Sequence, residues 1–180
     1  MNNYEQPIYM NNAATSWPKA PGVAEAAAEA LRRIPGEANR GGVTDFDVFE
    51  EVRKELAELM GVDCPSQIAL GCNSTWGLNQ AIFGYPLNPG DTVLSTNAEH
   101  NAVLRPLHVL MQRGIKGVTL SADKVGRVPV PEWEQVLKYC RPKLCILTHA
   151  SNVTGAVNDI AALAKAAKES GADVLLDISQ

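Results

Sequence analysis

The sequence predicts an α/β fold, a three-layer sandwich around a mainly parallel sheet. Three observations carry that expectation. From residue 66 onward, short apolar runs alternate with amphipathic stretches of helical length, the pattern of βαβ crossovers. Runs such as Cys145-Ile146-Leu147 and Val174-Leu175-Leu176 are continuously apolar, as strands covered on both faces must be. Polar residues then gather just past the runs. Asn73-Ser74-Thr75 follows Ile68–Cys72, Glu99-His100 follows Thr92–Thr96, Asn152–Gly155 follows Cys145–Thr148, and Asp177 and Gln180 follow Val174–Leu176. The carboxyl ends of parallel strands open on one crevice, and ligands bind there.

Residues 1–18 read as extended and irregular, with Pro7 and Pro18. Ala20 to Ile34 reads as a helix, with Val23, Ala27, Ala30 or Leu31, and Ile34 on one face, and Pro35-Gly36 ending it. A glycine-bearing loop spans 37–43. Thr44 with Asp47 resembles a short capping box for a second helix, in which Phe49, Val52, Leu56 and Leu59 keep helical spacing and Gly61 suits the C′ position. Strands are expected at 67–71, 92–96, 116–120, 144–148 and 173–177, and helices at 75–84, 103–113, 131–139 and 158–169. Tight turns at Asn88-Pro89-Gly90-Asp91 and Asp123-Lys124-Val125-Gly126 separate the units.

Bulk properties narrow the function. The 180 residues suffice for one domain with a full core, and 46% hydrophobic with 20% charged residues is ordinary globular composition. A net charge of −4 with no basic cluster argues against a nucleic-acid surface. The first residues lack a secretory signal and no apolar run approaches a membrane span, so a cytoplasmic location is expected. The four cysteines, Cys64, Cys72, Cys140 and Cys145, form no CxxC pair and have no histidine at ligand spacing. Reduced, mostly buried thiols are expected, with no metal. The Asn-x-Ser/Thr triplets at Asn73 and Asn152 are discounted because glycosylation requires secretion.

The candidate chemistry lies at the strand ends. Asn73-Ser74-Thr75 opens a helix, whose free N–H groups and hydroxyls suit a phosphate; a plain N-cap is the alternative, and the GxxxxGK[ST] lysine is absent. His100 can stack on a flat ring or shuttle a proton. His108, within a helix, and His149, at a strand end, are weaker candidates. Asp177 at the end of a buried strand needs a partner, and a cationic ring nitrogen would be one; backbone donors or a metal are alternatives. Asn152 and Gln180 are amides able to bond a phenolate oxygen or a carboxylate. Together these groups fit a phosphorylated pyridine better than a dinucleotide, for which GxGxxG is missing.

At this point the chain resembles the class V aminotransferase and cysteine desulfurase family of fold-type I pyridoxal phosphate enzymes. Tyr9-Met10-Asn11-Asn12-Ala13-Ala14-Thr15 is similar to the family's "LDNAAT" segment, and Asn73-Ser74-Thr75-Trp76-Gly77-Leu78-Asn79 to its phosphate loop. Ala98–Pro106 matches "EHNSVLRP" closely, Thr148–Gly155 matches "THASNVTG", and Asp177-Ile178-Ser179-Gln180 looks like "DAAQ". The resemblance implies pyridoxal 5′-phosphate as cofactor. Ser74 and Thr75 would hold its phosphate, His100 would stack on the ring, Asn152 and Gln180 would lie near the phenolic oxygen, and Asp177 would pair with the ring nitrogen. Asn12 and Ala13 would sit near the substrate mouth. Trp76, where the family has Glu or Asp, and Ser179, in place of Ala, are departures.

The resemblance also sets expectations about extent. Residues 1–18 would contribute to the small domain and site mouth, and 19–180 would form part of the cofactor-binding large domain. The Schiff-base lysine, the loop cysteine that takes sulfur and an arginine for the substrate carboxylate would lie beyond Gln180. None of the chain's lysines sits in a matching context. In the family's sheet order, 3-2-4-5-6-7-1, the stretch 67–71 is strand one and would stand apart, and 173–177 would be an exposed edge. The expected function is therefore the N-terminal portion of an enzyme acting on an amino acid, with C–S cleavage of cysteine foremost and selenocysteine lysis or transamination open, homodimeric in full-length form, and inactive as this chain alone. The alternatives are a non-catalytic remnant that binds a phosphorylated ligand or a partner chain, and an unrelated nucleotide-binding domain.

Overall fold

The structure, a computed structural model, describes residues 8–33 and 47–180. They fall into two compact units, Met1–Leu70 and Gly71–Gln180.

In the first unit, α1 (Val23–Ala30) is shorter than the expected helix, and Gly22 at its start takes the left-handed φ of 85°. Ile34 and the 37–43 loop lie outside the described residues. Helix α2 (Val48–Met60) is capped by Asp47, whose Oδ1 accepts from the N–H groups of Phe49 (2.9 Å) and Glu50 (3.2 Å). Asp47 is thus the cap itself rather than the far end of a box. Its short carboxylate reaches the first-turn donors directly; Thr44 lies outside the described residues. Gly61 closes the helix at φ 64°, as a left-handed terminator should.

The strand expected at 67–71 does not form. Pro65–Gln67 is a short 3₁₀ turn, and residues 68–71 have no ladder partner among the described residues. A strand exists only through its neighbour's hydrogen bonds. Here the Ile68 carbonyl takes a hydrogen bond from Arg53 Nε at 3.2 Å instead.

The second unit keeps its expected elements to within three residues at each end: α3 (Ser74–Gly84), β1 (Thr92–Thr96), α4 (Asn101–Gln112), β2 (Lys116–Leu120), α5 (Val130–Cys140), β3 (Leu144–Thr148), α6 (Ile160–Glu169) and β4 (Asp173–Asp177). All strands are parallel, in the order β2-β1-β3-β4. This reproduces the 3-2-4-5 part of the expected order, with β4 at an edge and Val174, Leu175 and Leu176 half-buried.

Alternation along the strands builds the three layers. Val93, Leu144 and Ile146 face α3 and α4, packing with Leu78, Ile82, Val103 and Leu107. Leu94, Cys145 and Leu147 face α5 and α6, packing with Trp133, Leu137, Leu163 and Ala167. At the amino ends of the strands, Lys143 Nζ bonds Asp91 Oδ2 (3.0 Å) and the Pro86 carbonyl (2.6 Å). Nearby, burial pushes the Tyr85 hydroxyl up to about 12, helped by its bond to Asp173. These contacts lie opposite the crevice and lock the sheet's base.

All four cysteines are free, but only Cys145 is buried; Cys64 and Cys72 are exposed. The expectation of mostly buried thiols fails because Cys64 precedes the 3₁₀ turn and Cys72 lies in the connection before α3, both in exposed segments. Burial pushes the Cys145 thiol up to about 12. Among the described residues no helix is long and apolar enough to cross a membrane.

Trp76 lies across Gly71: a Cβ there would overlap Cε3 and Cζ3 of the indole. Gly71→Ala is expected to displace the ring and shift tryptophan emission while leaving the far-ultraviolet circular dichroism unchanged. An unaltered emission spectrum would refute the contact.

Candidate cofactor site

The chain enters the sheet at β1, steps to β2 on one side, and then returns to β3 on the other. The order reverses between β1 and β3, so the crevice at their carboxyl ends is the topological switch point where open α/β sheets bind ligands.

Two helices begin at that end. Asn73 caps α3, its Oδ1 accepting from Trp76 N–H at 2.8 Å and its carbonyl from Gly77 N–H. The N–H groups of Ser74 and Thr75 have no partner among the described residues and remain for a ligand, beside their exposed hydroxyls. His100 caps α4: its Nδ1 accepts from Ala102 N–H at 3.1 Å. That bond puts the proton of the neutral ring on Nε2 and fixes the plane of the imidazole.

Thr75 and His100 line one cavity of about 460 Å³, together with Asn79, Asn101, Ala102, Arg105 and Pro106. Of these, only Thr75 and His100 are candidates from the sequence. Asn79 stands one turn after Thr75 on α3, so helical spacing from that anchor could have found it. Asn79 also repairs the backbone. Pro106 inside α4 cannot donate to the Ala102 carbonyl, and Asn79 Nδ2 approaches that carbonyl at 3.4 Å while donating to Thr75 O at 2.8 Å.

Asp177 ends β4 opposite Thr148 and is 6% exposed. Its Oδ1 accepts from Ser179 N–H (3.0 Å) and Ser179 Oγ (2.6 Å), and Oδ2 has no hydrogen-bond partner among the described residues. Ser179, noted only as a departure, thus holds one oxygen and leaves the other. Asp177 does not line the cavity of Thr75 and His100. It is tied to that region through Glu99, whose carboxyl it influences electrostatically.

Glu99 itself was read only as the neighbour of His100. It is 6% exposed, and its Oε1 accepts from Thr96 Oγ1 (2.7 Å) and Thr148 N–H (3.1 Å). Its Oε2 is buried without a partner among the described residues. Burial drives its pKa up to about 7, against the pull of the two hydrogen bonds, and the charge of Asp177 adds to the rise.

The remaining candidates are dispersed. Asn152 is exposed on the turn that Ser151 Oγ organises by accepting from Val153 and Thr154 N–H. Gln180 is exposed past β4. Asn12 and Ala13 belong to the first unit, where Asn12 Oδ1 accepts from Trp17 N–H at 3.0 Å. His149 is half-buried and its N–H donates to the Asp177 carbonyl. His108 pairs with Gln112 on the exposed side of α4. A larger hollow of about 980 Å³ beside β2, lined by Val118, Leu120 and the α5 side chains Val136 and Tyr139, contains none of the candidate residues.

The aminotransferase class V family profile matches residues 8–180. The chain belongs to the class V aminotransferase family. Among curated members, it is 29% identical to a probable cysteine desulfurase of Pyrococcus abyssi across 98% of this chain and 45% of that protein. It is 28% identical to a cysteine desulfurase of Cronobacter sakazakii across 97% of this chain and 45% of that protein. Among solved structures, the apo cysteine desulfurase of Thermococcus onnurineus superposes with a TM-score of 0.83 at 28% identity, covering 94% of this chain and 43% of that one. The cysteine desulfurase CsdA of Escherichia coli gives 0.76 at 25%, covering 93% and 44%. The chain therefore spans less than half the length of these relatives and corresponds to their N-terminal half. This family is one of pyridoxal phosphate enzymes.

Proposed function

We propose that the chain provides the phosphate, ring-face and ring-nitrogen contacts of a pyridoxal 5′-phosphate site in an enzyme of the cysteine desulfurase type. The observation that carries this is the shared cavity of Thr75 and His100 at the sheet's switch point. The residues fit the group. Two unpaired helix N–H groups and two hydroxyls suit a phosphate dianion. The plane of His100 is fixed by its own cap. Asp177 has one oxygen held and the other unclaimed, as a counter-ion for a cationic nitrogen requires.

When bound, the cofactor supplies an electron-withdrawing ring. The chain's residues anchor it. Ser74 and Thr75 bind the phosphate, His100 covers one face of the ring, and Asp177 keeps a proton on the ring nitrogen. Asn152 and Gln180 hydrogen-bond its phenolic oxygen, and Asn12 and Ala13 bind substrate. The substrate is an amino acid, cysteine foremost. The full-length protein is a cytoplasmic homodimer.

Titration with pyridoxal phosphate, followed by absorbance and tryptophan quenching, tests the proposal. Saturable one-to-one binding is expected, weakened about tenfold or more by Thr75→Ala or His100→Ala through lost charge-assisted hydrogen bonds and ring contact. No cysteine turnover and no borohydride-fixed adduct at a single lysine are expected from this chain. Binding unaffected by both substitutions, or nucleotide binding that pyridoxal phosphate does not displace, would overturn the site. Binding of phosphate esters with no preference for the pyridine would favour the non-catalytic reading.

A further inference from the structure

The sheet is not paired evenly. β1 pairs with β2 along its full length, from Thr92↔Lys116 to Thr96↔Leu120. β3 pairs with β4 along its full length, from Leu144↔Asp173 to Thr148↔Asp177. Between β1 and β3 only Val93↔Leu144 and Leu94↔Cys145 are paired. Beyond Leu94 and Cys145 the two strands part, and they part at the carboxyl end, at the switch point.

A buried strand end that leaves its neighbour must find other partners for its backbone. The Glu99 carboxyl supplies them here. It takes the Thr148 N–H from one strand and the Thr96 hydroxyl from the other through the same oxygen, Oε1. Thr96 Oγ1 in turn accepts from Ala98 N–H at 3.2 Å, so the turn carrying Glu99 is tied to the strand it leaves. Asn158 completes the arrangement on the far side: its Nδ2 donates to Thr148 O at 2.9 Å and its Oδ1 accepts from Val128 N–H at 2.9 Å.

We infer that Glu99 is a positioning residue, a side-chain strut that replaces the missing rungs between β1 and β3 and fixes the separation of His100 from Asp177. His100 is its chain neighbour, and Asp177 lies in register with the Thr148 that it holds. The strut stands on geometry alone; what it positions the two residues for rests on the cofactor reading above. The ionisable groups beside it are Asp177 on β4, whose charge acts on its carboxyl, and His100, its chain neighbour.

Residue-resolved amide hydrogen exchange tests the strut without cofactor. The readout is the exchange of Thr148 relative to Ile146, a fully buried residue of the same strand that Glu99 does not touch. In Glu99→Ala, Thr148 protection relative to Ile146 should fall about tenfold or more, because a net hydrogen bond to a carboxyl is lost. Glu99→Gln keeps an acceptor oxygen at the same place and should restore most of that protection. Unchanged relative protection in Glu99→Ala, or loss as large in Glu99→Gln, would overturn the proposal. A parallel pyridoxal phosphate titration separates the two readings. If Thr148 responds as expected while no variant, wild type included, binds the cofactor, the strut stands and the cofactor assignment fails.

Discussion

Trp133→Ala is expected to cost about 3–5 kcal/mol, the range for deleting a large buried aromatic side chain. For a chain of this size that corresponds to a fall of about 10 °C in the unfolding midpoint. Trp133 is fully buried and the largest side chain in the core beneath α5 and α6. It also joins those two helices by a specific bond, its Nε1–H donating to Leu163 O at 3.1 Å. The alanine variant therefore loses packing and the bond together. Trp133→Phe keeps most of the volume and loses the donor, so its cost should fall near 1 kcal/mol, the net worth of one hydrogen bond. Thermal and urea unfolding followed by circular dichroism measure both. Equal losses in the two variants would mean that the bond, rather than the packing, joins the layers.

The elements most legible in the sequence are those whose stability is local or whose burial is two-sided. Val93-Leu94 and Cys145-Ile146-Leu147 have apolar side chains for both helical layers, so their composition alone specifies central strands. Helices α3 to α6 were legible because each offers an apolar stripe to one of those layers. The stretch 67–71 has strand composition too, but pairing is not a property of composition. Without a ladder neighbour among the described residues, its backbone bonds go to a local turn and to Arg53. The start of α2 was misjudged for a related reason. Thr44 and Asp47 both suit an N-cap, and only the φ and ψ of the chain decide which one turns.

The candidate site was legible where a residue type announces its chemistry at a strand end, as Thr75, His100 and Asp177 do. Residues that act by completing someone else's hydrogen bonds were not. Asn79 matters because Pro106, 27 positions later, removes the donor for Ala102 O. Ser179 matters because its N–H and hydroxyl both reach back two residues to Asp177. Glu99 matters because β1 and β3 separate after their second pair, and strand divergence leaves no mark in either strand's sequence.

Glu99 also makes stability depend on pH in a direction unusual for a carboxyl group. Its pKa is raised from the ordinary 4.5 to about 7, chiefly by burial. Between those values the folded chain holds a proton that the unfolded chain has released. Stability from this group is thus fully present below about pH 4.5, declines as pH rises, and is lost above about pH 7. The displacement corresponds to about 3 kcal/mol, so the chain should be less stable at pH 8 than at pH 5 by roughly that amount. Asp91 and Asp123 are held below the usual carboxylate range, chiefly by backbone N–H donors, and their contributions disappear only in stronger acid. Tyr85 and Cys145 titrate near 12. The charge of Asp177 adds to the rise, so a cation seated against Asp177 would lower the Glu99 pKa, and the loss of stability would be smaller and complete at a lower pH. Glu99→Gln cannot titrate, so its unfolding free energy should be nearly flat from pH 5 to 8. Its amide mimics the protonated carboxyl, each leaving one buried donor unpaired, so it should lie close to wild type at pH 5 and above it at pH 8. Urea unfolding of both chains at several pH values decides the matter: parallel profiles would show that the proton sits elsewhere.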